Sequence, residues 1–318
     1  MAGARERVLI TGGSGFLGAC LAHDLVAEGH DVHLLLRPEY QGWRLKTLAG
    51  HYTPQEADLC DADAVRSVVA ASRPEVIYHL ATHGAYPSQR DRRTILATNL
   101  LGTANLLDAL DGHDYRALVH AGSSSEYGHQ DDPMRETDRL EPRTDYAVTK
   151  AAATLLCQAE AFRGRPVVTV RVFSAYGPWE EPSRLVPYVM DCCYRGVNPR
   201  CTAGLQPRDF IYAADVVALL KRAAHHPAAM GQILNAGTGC QQRVRDMVEA
   251  IVAVCGGGKV QPEFGSEPLR PDEPVCWRAS IELTTALTGW RPRYDLRGGI
   301  ELMWQWFTET AALEPLAA

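Results

Sequence analysis

The chain has 318 residues, of which 46% are hydrophobic, and this is enough for one large α/β domain or for a domain with a smaller second lobe. The formal net charge is −6 and no basic run is present, which excludes the charge pattern of a nucleic-acid-binding protein. No apolar stretch approaches the roughly 20 residues of a membrane-spanning helix, and we expect no signal peptide because the N-terminus leads directly into a predicted strand.

The first elements predicted along the chain are a strand, a glycine-rich loop and a helix. Residues 8–11 are apolar and largely β-branched, which is typical of a buried strand. Three glycines follow at a regular spacing: Gly12, Gly15 and Gly18. They permit a tight turn, a close approach of the backbone to a pyrophosphate, and packing of the helix on the strand. A helix to about residue 28 and a second strand, Asp31–Leu36, complete the order of a dinucleotide-binding unit, although the glycines alone would also fit an ordinary strand–turn–helix corner.

The end of the second predicted strand indicates which dinucleotide binds. An acidic residue there binds the ribose diol of NAD, whereas a nearby arginine accommodates the extra phosphate of NADP. Leu36 occupies the place of the acid and Arg37 follows it. We therefore expect NADP(H), with NAD(H) left open because Arg37 also fits an ordinary surface arginine. Asp58 follows a short third strand and is a candidate contact for the adenine amino group, while capping of a helix by Asp58 or Asp61 is equally compatible.

Strand and helix signals alternate through the first half of the chain. Further strands are predicted at residues 75–80, 117–122 and 167–173, and a helical pattern covers residues 94–110. This alternation predicts an α/β fold with a doubly wound parallel sheet, a Rossmann fold, and right-handed crossovers.

Tyr146 and Lys150 lie four residues apart in a stretch with helical character. Positions i and i+4 share one face of a helix, so an ammonium group can lie beside a phenol. A positive charge lowers the pKa of a tyrosine from its usual value of roughly 10. Such a tyrosine can move a proton to or from an alcohol oxygen, although the same spacing also occurs on solvated helix faces.

The regular alternation of strand and helix signals ends after residue 173. Residues 1–173 are predicted to form the NAD(P)-binding domain, to which a segment near 208–235 returns, and residues 174–318 mainly a smaller substrate-binding lobe interlaced with it. The last third mixes turns with short predicted helices, and residues 255–274 read mostly as loop. We expect this lobe to lie over the carboxyl ends of the strands, where open α/β sheets bind ligands.

The nine cysteines are scattered without paired CxxC spacing, and their odd count argues against a complete disulfide framework. A reducing, cytoplasmic location fits this usage. The Cys and His positions form no metal-binding pattern, so we expect no metal.

Seven motifs together resemble the extended short-chain dehydrogenase/reductase family, in its nucleotide-sugar epimerase, dehydratase and ketoreductase branch. The motifs are TGGSGFLG (residues 11–18), YHLAT (78–82), TNLLGTANLLDA (98–109), GSSSEYG (122–128), YAVTK (146–150), RVFSAYGP (171–178) and RDFIYAADVV (208–217). The resemblance covers nearly the whole chain, and the motifs are specific as a set.

The resemblance implies catalytic roles for three residues. Tyr146 is the general acid/base at the reacting sugar oxygen, Lys150 binds the ribose of the nicotinamide nucleotide and lowers the pKa of Tyr146, and Ser123 hydrogen-bonds the same sugar oxygen. Ser124 is an alternative for the last role, since three serines stand in a row.

The resemblance and the motifs together give two sets of expected contacts. The expected cofactor contacts are Gly12, Gly15, Phe16, Leu17, Gly18, Arg37, Asp58, Leu59, Leu80, Ala81, Asn99 and Lys150. The expected substrate contacts are His83, Ser124, Ser125, Ser174, Arg208 and Arg270, of which the two arginines match positions that hold the nucleotide diphosphate.

Two departures from the family pattern bear on the reaction. Ser174 stands where the family often has Asn, so the contact made there to diphosphate or sugar differs or is lost. The dehydratase branch has a carboxylate pair, or a polar residue and Glu, directly after its catalytic residue, whereas this chain has Ser124 and Ser125. Glu126 comes one position later, where strand alternation would direct it to the other face of the sheet. A 4,6-dehydratase is therefore less expected.

Two enzyme hypotheses remain, and both use Ser123, Tyr146 and Lys150. The first is an NADPH-dependent 4-ketoreductase of a nucleotide-linked 4-keto-6-deoxyhexose, which Arg37 favours. The second is an NAD-dependent 4-epimerase of a nucleotide sugar. A non-catalytic NADP-binding sensor is less expected because both Tyr146 and Lys150 are present. The expected partners are a nucleotide-diphosphate sugar and a second copy of the chain in a homodimer, with no nucleic acid and no membrane.

Overall fold

A computed structural model describes residues 5–268 and 273–313 of the chain. Seven parallel strands form one central sheet, and we number them in chain order: β1 (Arg7–Thr11), β2 (Asp31–Leu36), β3 (Thr53–Glu56), β4 (Val76–His79), β5 (Ala117–Ser123), β6 (Val167–Val172) and β7 (Ile233–Ala236). Their spatial order is β3-β2-β1-β4-β5-β6-β7, and every neighbouring pair is parallel. This order reverses direction between β1 and β4, which makes the sheet doubly wound and confirms the predicted Rossmann fold.

Helices cover both faces of this sheet. The α-helices that the structure describes are α1 (Phe16–Ala27), α2 (Ala62–Ser72), α3 (Arg92–Leu96), α4 (Gly102–Ala109), α5 (Asp145–Phe162), α6 (Leu185–Arg195), α7 (Ala213–His225), α8 (Val244–Cys255), α9 (Glu282–Thr288) and α10 (Leu296–Leu313). The side chains of α1 and α7 pack on one face of the sheet, and those of α2, α4 and α5 pack on the other. Because both faces are covered, the strands are nearly continuous runs of buried apolar residues, as parallel sheets require.

The helical pattern predicted at residues 94–110 is broken in the structure. A single π-helical turn, Ala97–Leu101, separates α3 from α4. Such bulges insert one extra residue per turn and are frequent at functional sites. Here the bulge contains Asn99, whose side chain is buried.

Three helices build a second core beside the sheet. Buried apolar side chains of α6, α8 and α10 pack together there. Three short strand pairs frame this lobe: Ser174–Tyr176 with Phe210–Tyr212, Pro207–Arg208 with Gln242–Arg243, and Arg200–Cys201 with Glu263–Phe264. Our expectation of only short helices in the last third is wrong for α10, which has 18 residues. In the described part of the chain, no helix is both long enough and apolar enough to span a membrane.

Candidate active site

A large cleft of roughly 1110 Å³ lies at the carboxyl ends of the strands, between the sheet and the second lobe. Its volume exceeds the range of about 300–1,000 Å³ that is usual for one small ligand, so a dinucleotide and a second ligand fit together. Most residues expected from the sequence line it: Gly12, Gly15, Phe16, Leu17, Gly18, Arg37, Asp58, Leu59, Leu80, Ala81, His83, Ser123, Ser124, Ser125, Tyr146, Lys150, Ser174 and Arg208. Asn99 lies behind the wall of the cleft, and Arg270 lies outside the described residues.

The glycine-rich loop is shaped to hold a pyrophosphate. Gly12 has a φ of 75°, and a Cβ atom on it would lie 2.6 Å from the backbone nitrogen of Ala81. A Cβ atom on Gly18 would lie 2.1 Å from the carbonyl oxygen of Gly12. No side chain fits at either position, so the loop and the start of α1 pack closely against the end of β4. The helix begins after Gly15, which has no side chain to cap it, and its first N–H groups therefore remain for an anion.

The ribose end of the cleft has an arginine and no acid at the end of β2. Leu36 is buried in the core, while Arg37 is exposed and lines the cleft. Of the two aspartates weighed from the sequence, Asp61 is the helix cap and accepts two backbone N–H groups of α2. Asp58 lines the cleft and accepts the backbone N–H of Cys60 at 2.8 Å.

Asn99 braces the loop that follows β4. Its amide oxygen accepts the backbone N–H of His83 at 2.7 Å and the hydroxyl of Thr82 at 3.2 Å. Its amide nitrogen donates to the carbonyl oxygen of His83 at 2.8 Å and to the hydroxyl of Thr149 at 2.9 Å. Thr149 immediately precedes Lys150 on α5. Asn99 therefore connects the cleft wall at His83, through hydrogen bonds, to the helix that contains Lys150.

Ser123, Tyr146 and Lys150 all line the cleft. Ser123 is the last residue of β5, and α5 begins one residue before Tyr146, where Thr144 caps the helix by accepting the N–H of Ala147 at 3.1 Å. The strand end and the helix start thus place the serine hydroxyl within hydrogen-bonding reach of the phenol. Lys150 lies one turn further along α5, and its side chain is buried.

Burial is the largest influence on the pKa values of Tyr146 and Lys150. Burial raises the pKa of Tyr146 above its usual value, while the hydrogen bond with Ser123 and the charge of Arg184 act in the opposite direction. Burial also lowers the pKa of Lys150 to about 8, against the opposing charge of Glu126. Burial outweighs the neighbouring charges at Tyr146, and the expected effect of Lys150 on this pKa stays a prediction.

Glu126 forms a buried ion pair with Arg171. Residues Ser124–Tyr127 form a 3₁₀ turn capped by Ser123, and this turn directs Glu126 back into the protein. The carboxylate is fully buried and accepts the N–H of Ser123 at 2.7 Å, the hydroxyl of Thr154 at 3.1 Å and Nε of Arg171 at 2.8 Å. Strand alternation was the wrong reason for expecting Glu126 to point away from the site, since the strand ends at Ser123.

The substrate side of the cleft carries Arg208 and Ser174. Arg208 donates to the carboxylate of Glu273 at 2.9 Å, and its guanidinium lies 5.6 Å from the ring centroid of Trp277. Ser174 begins the short strand that pairs with Phe210–Tyr212. A diphosphate at Arg208 would have to compete with Glu273 for the guanidinium.

Two cleft residues that the sequence reasoning missed are Glu180 and Arg184. Glu180 is 8% exposed, and burial raises its pKa to about 8. One of its carboxylate oxygens lies 3.8 Å from Nε of Arg184, and the other has no hydrogen-bond partner among the described residues. The neighbouring acids Glu180 and Glu181 follow a Gly-Pro pair in the sequence, but the burial of Glu180 could not be read from it.

Arg44 is a third missed residue, and it connects the two halves of the cleft. Its buried guanidinium donates to the carbonyl oxygen of Ser14 in the glycine-rich loop at 3.4 Å. It also donates to the carbonyl oxygen of Trp179 at 2.7 Å and to the carboxylate of Glu181 at 2.8 Å. Trp179 in turn stacks on His23 of α1, with ring centroids 4.6 Å apart. Residues 177–181 are thus fixed to the cofactor side of the cleft.

Among the described residues, no group of three or more His, Cys, Asp or Glu side chains is placed to hold a metal ion. The donor set of the cleft instead fits a dinucleotide, since the glycine loop provides backbone N–H groups at a helix N-terminus and Lys150 lies beyond it.

Comparisons with known proteins agree with this geometry. Residues 8–237 match the model of the NAD-dependent epimerase/dehydratase family. A UDP-glucose 4-epimerase of Mycolicibacterium smegmatis is 30% identical, over 92% of this chain and 96% of its own length. A dTDP-glucose 4,6-dehydratase of Streptomyces niveus is 28% identical, over 98% of this chain and 95% of its own. The structure of a Thermus thermophilus UDP-glucose 4-epimerase in complex with NAD is 27% identical with a TM-score of 0.84, covering 95% of this chain and 99% of that one.

Proposed function

The chain belongs to the NAD-dependent epimerase/dehydratase family, and on that premise we propose that this nucleotide-sugar enzyme is an NADPH-dependent 4-ketoreductase of a nucleotide-linked 4-keto-6-deoxyhexose. The observation that carries the proposal is the end of β2. Leu36 is buried where an acid would bind the ribose diol of NAD, and Arg37 lies exposed on the cleft wall, where it suits a ribose phosphate. A net reduction draws its electrons from NADPH.

The residues of the cleft have separate tasks in this reaction. NADPH would bind along the glycine loop, with its nicotinamide ribose at Lys150, and would supply the hydride. Ser123 holds the keto oxygen of the sugar, and Tyr146 gives it a proton. A tyrosine phenol with its ordinary pKa of roughly 10 is protonated at neutral pH, so Tyr146 has a proton to give in the reductive direction.

A second candidate is an NAD-dependent 4-epimerase, which the comparisons favour. The Mycolicibacterium relative is a UDP-glucose 4-epimerase, and the Thermus epimerase structure contains NAD. An epimerase would use the same three residues, with Tyr146 taking a proton first and returning it later. A dehydratase ranks below both, because the nearest carboxylate after the serine run, Glu126, is bound to Arg171 inside the protein.

The experiment that separates the candidates begins with freshly purified protein. Nucleotides released by denaturation are identified, and the protein is then assayed for oxidation of added NADPH with a nucleotide-linked 4-keto-6-deoxyhexose. We expect an empty site or released NADP, and consumption of NADPH with this substrate. Released NAD, together with interconversion of UDP-hexoses without added cofactor and no oxidation of NADPH, would establish the epimerase instead.

Arg37 provides a sharper test of cofactor choice. In the variant Arg37→Ser we expect KM for NADPH to rise about 10- to 100-fold, the range for loss of a charged hydrogen bond. The KM for NADH should change little, because NADH has no phosphate at this position. Equal changes in KM for NADPH and NADH would show that Arg37 does not contact the phosphate of NADPH.

We also propose that the enzyme is a homodimer in the cytoplasm. Three exposed apolar residues lie seven positions apart on one face of α5: Val148, Leu155 and Phe162, the last 91% exposed. Leu101 in the neighbouring π-helical turn is exposed as well. A row of this kind marks an interface, and a second copy of the same face is the partner we propose.

A further inference from the structure

The two oxygens of the Glu126 carboxylate have different partners. Oε2 accepts Nε of Arg171 at 2.8 Å and forms the buried ion pair. Oε1 accepts the backbone N–H of Ser123 at 2.7 Å and the hydroxyl of Thr154 at 3.1 Å. The ion pair therefore accounts for one oxygen only, and the two contacts of Oε1 need an explanation of their own.

Oε1 connects the two elements that carry the catalytic residues. Ser123 is the last residue of β5, while Thr154 lies on α5, one turn after Lys150 and two turns after Tyr146. Positions four apart share one face of a helix, so Thr154 continues the face that carries the tyrosine and the lysine. Because both hydrogen bonds end on one oxygen atom, they hold the backbone of Ser123 and the helix at a fixed separation.

The surroundings of this oxygen exclude water. Glu126 is 0% exposed and Thr154 is 1% exposed, so water cannot replace either donor. A Cβ atom on Gly122 would lie 2.7 Å from Oε1, so a side chain at that position would displace the carboxylate. Hydrogen bonds to an ionised acceptor are strong, and a low-dielectric interior strengthens them further. The connection between β5 and α5 is therefore rigid.

The turn that contains Glu126 also sets the direction of the Ser123 hydroxyl. Oγ of Ser123 accepts the backbone N–H of Ser125 at 3.2 Å. This bond and the one from the Ser123 N–H to Glu126 form a reciprocal cap of the turn. The hydroxyl thus acts as an acceptor toward the protein, and its proton remains to be donated to a substrate oxygen. Both the backbone and the side chain of Ser123 are fixed by the residues that follow it.

We propose that Glu126 is a positioning residue for catalysis: through Oε1 and Thr154 it sets the distance between Ser123 and the face of α5 that carries Tyr146 and Lys150. The serine and the phenol must both reach one sugar oxygen, and a displacement of about 1 Å can cost on the order of 100-fold in rate. This inference rests on the proposed function only in taking these residues as the catalytic group, which both candidate reactions use.

Variants of Thr154 test the bridge while the ion pair with Arg171 stays intact. Thr154→Val replaces the hydroxyl by a methyl group of similar size, and Thr154→Ser retains the hydroxyl. The matched control is Thr288→Val on α9, because that hydroxyl is equally buried, donates to the carbonyl oxygen of Thr284 at 2.6 Å and lies outside the cleft lining. For each variant, kcat and KM are measured with NADPH and a nucleotide-linked 4-keto-6-deoxyhexose.

We expect Thr154→Val to lower kcat about 10- to 100-fold, the range for a displacement of up to about 1 Å, without changing KM for NADPH. Thr154→Ser should retain most of the wild-type rate. Thr288→Val should lower the thermal midpoint and leave kcat unchanged. The variant Ser123→Ala separates positioning from a general structural defect. In that background Thr154→Val should cause no further loss of kcat, because residues that act through one another are not additive.

Three results would overturn the proposal. An unchanged kcat in Thr154→Val would mean that the bridge does not position the serine. Losses of kcat that multiply in the double variant, or a Thr154→Ser variant as slow as Thr154→Val, would mean that Thr154 affects the reaction through packing instead. A wild type that oxidises no NADPH contradicts the proposed reaction only: the same variants are then compared in the interconversion of UDP-hexoses, which uses the same catalytic residues.

Discussion

Replacement of Glu126 by glutamine removes one charge from a buried ion pair and is expected to destabilise the protein by about 3–5 kcal/mol. The carboxylate is fully buried and the Arg171 side chain is 2% exposed, so water cannot replace the lost partner. Arg171 retains a hydrogen bond to the carbonyl oxygen of Glu136 at 3.3 Å and the ring of Tyr127 at 4.5 Å, and neither neutralises its charge. The loss is a large part of the roughly 5–15 kcal/mol that stabilises a typical domain.

Urea unfolding followed by circular dichroism measures this loss. The matched control is Glu301→Gln, which breaks the exposed pair with Arg297 on α10 and should leave the midpoint unchanged. The double variant Glu126→Gln/Arg171→Met removes both charges and should recover part of the stability, which gives the coupling energy of the pair. A loss below about 1 kcal/mol in the single variant would refute the interpretation, since it would mean that the charge of Arg171 is satisfied elsewhere.

The same variant should also change the titration of Lys150. Burial lowers the pKa of Lys150 to about 8, and the charge of Glu126 opposes this by favouring the ammonium. Removal of that charge should lower the pKa further, so Lys150 loses its proton at a lower pH. Any decline in cofactor affinity that follows deprotonation should then begin at a lower pH than in the wild type. An unmoved profile would mean that Lys150 does not respond to Glu126.

Three further outcomes are expected. Tyr146→Phe should lower kcat about 10²–10⁴-fold without changing the Kd of the cofactor, and a variant with full activity would exclude Tyr146 as the proton donor and favour a non-catalytic sensor. Gly12→Ala should abolish cofactor binding, measured by quenching of tryptophan fluorescence, because its Cβ would lie 2.6 Å from the backbone of Ala81. Leu155→Asp should yield monomers in sedimentation experiments, whereas Leu302→Asp, exposed on α10, should not; a dimer that survives Leu155→Asp has another interface.

The parts of the fold that follow local patterns could be predicted from the sequence. The glycine loop and five strands of the sheet, β1, β2, β4, β5 and β6, are short-range signals, and the structure reproduces these strands within one or two residues. The third strand was predicted only as a short strand before Asp58, and β3 lies there. The π-helical turn around Asn99 could not be predicted, because it depends on bonds from Asn99 to the loop at His83 and to Thr149 on another helix. The seventh strand likewise becomes a strand only by pairing with β6.

The residues of the candidate site that belong to sequence motifs could be predicted. Properties that depend on burial in the folded protein could not. Spacing and resemblance predicted that Ser123, Tyr146 and Lys150 belong to one site, and all three line the cleft. Their pKa values could not be predicted, since burial is a property of the folded cleft rather than of two residues four apart. Glu180 was missed for the same reason: its environment comes from Trp179, which packs against His23 and Trp306 from opposite ends of the chain.

The three contacts of Arg44 imply that the two ligands of this enzyme bind cooperatively. One guanidinium holds a carbonyl oxygen of the glycine loop and also the segment that carries Glu180. A ligand that orders either side therefore orders part of the other, and linkage makes this effect reciprocal. We expect cofactor and sugar nucleotide to raise each other's affinity by the same factor, and Arg44→Met to bring that factor to one. If cofactor and sugar nucleotide still raise each other's affinity by the wild-type factor in Arg44→Met, other residues connect the two binding sites.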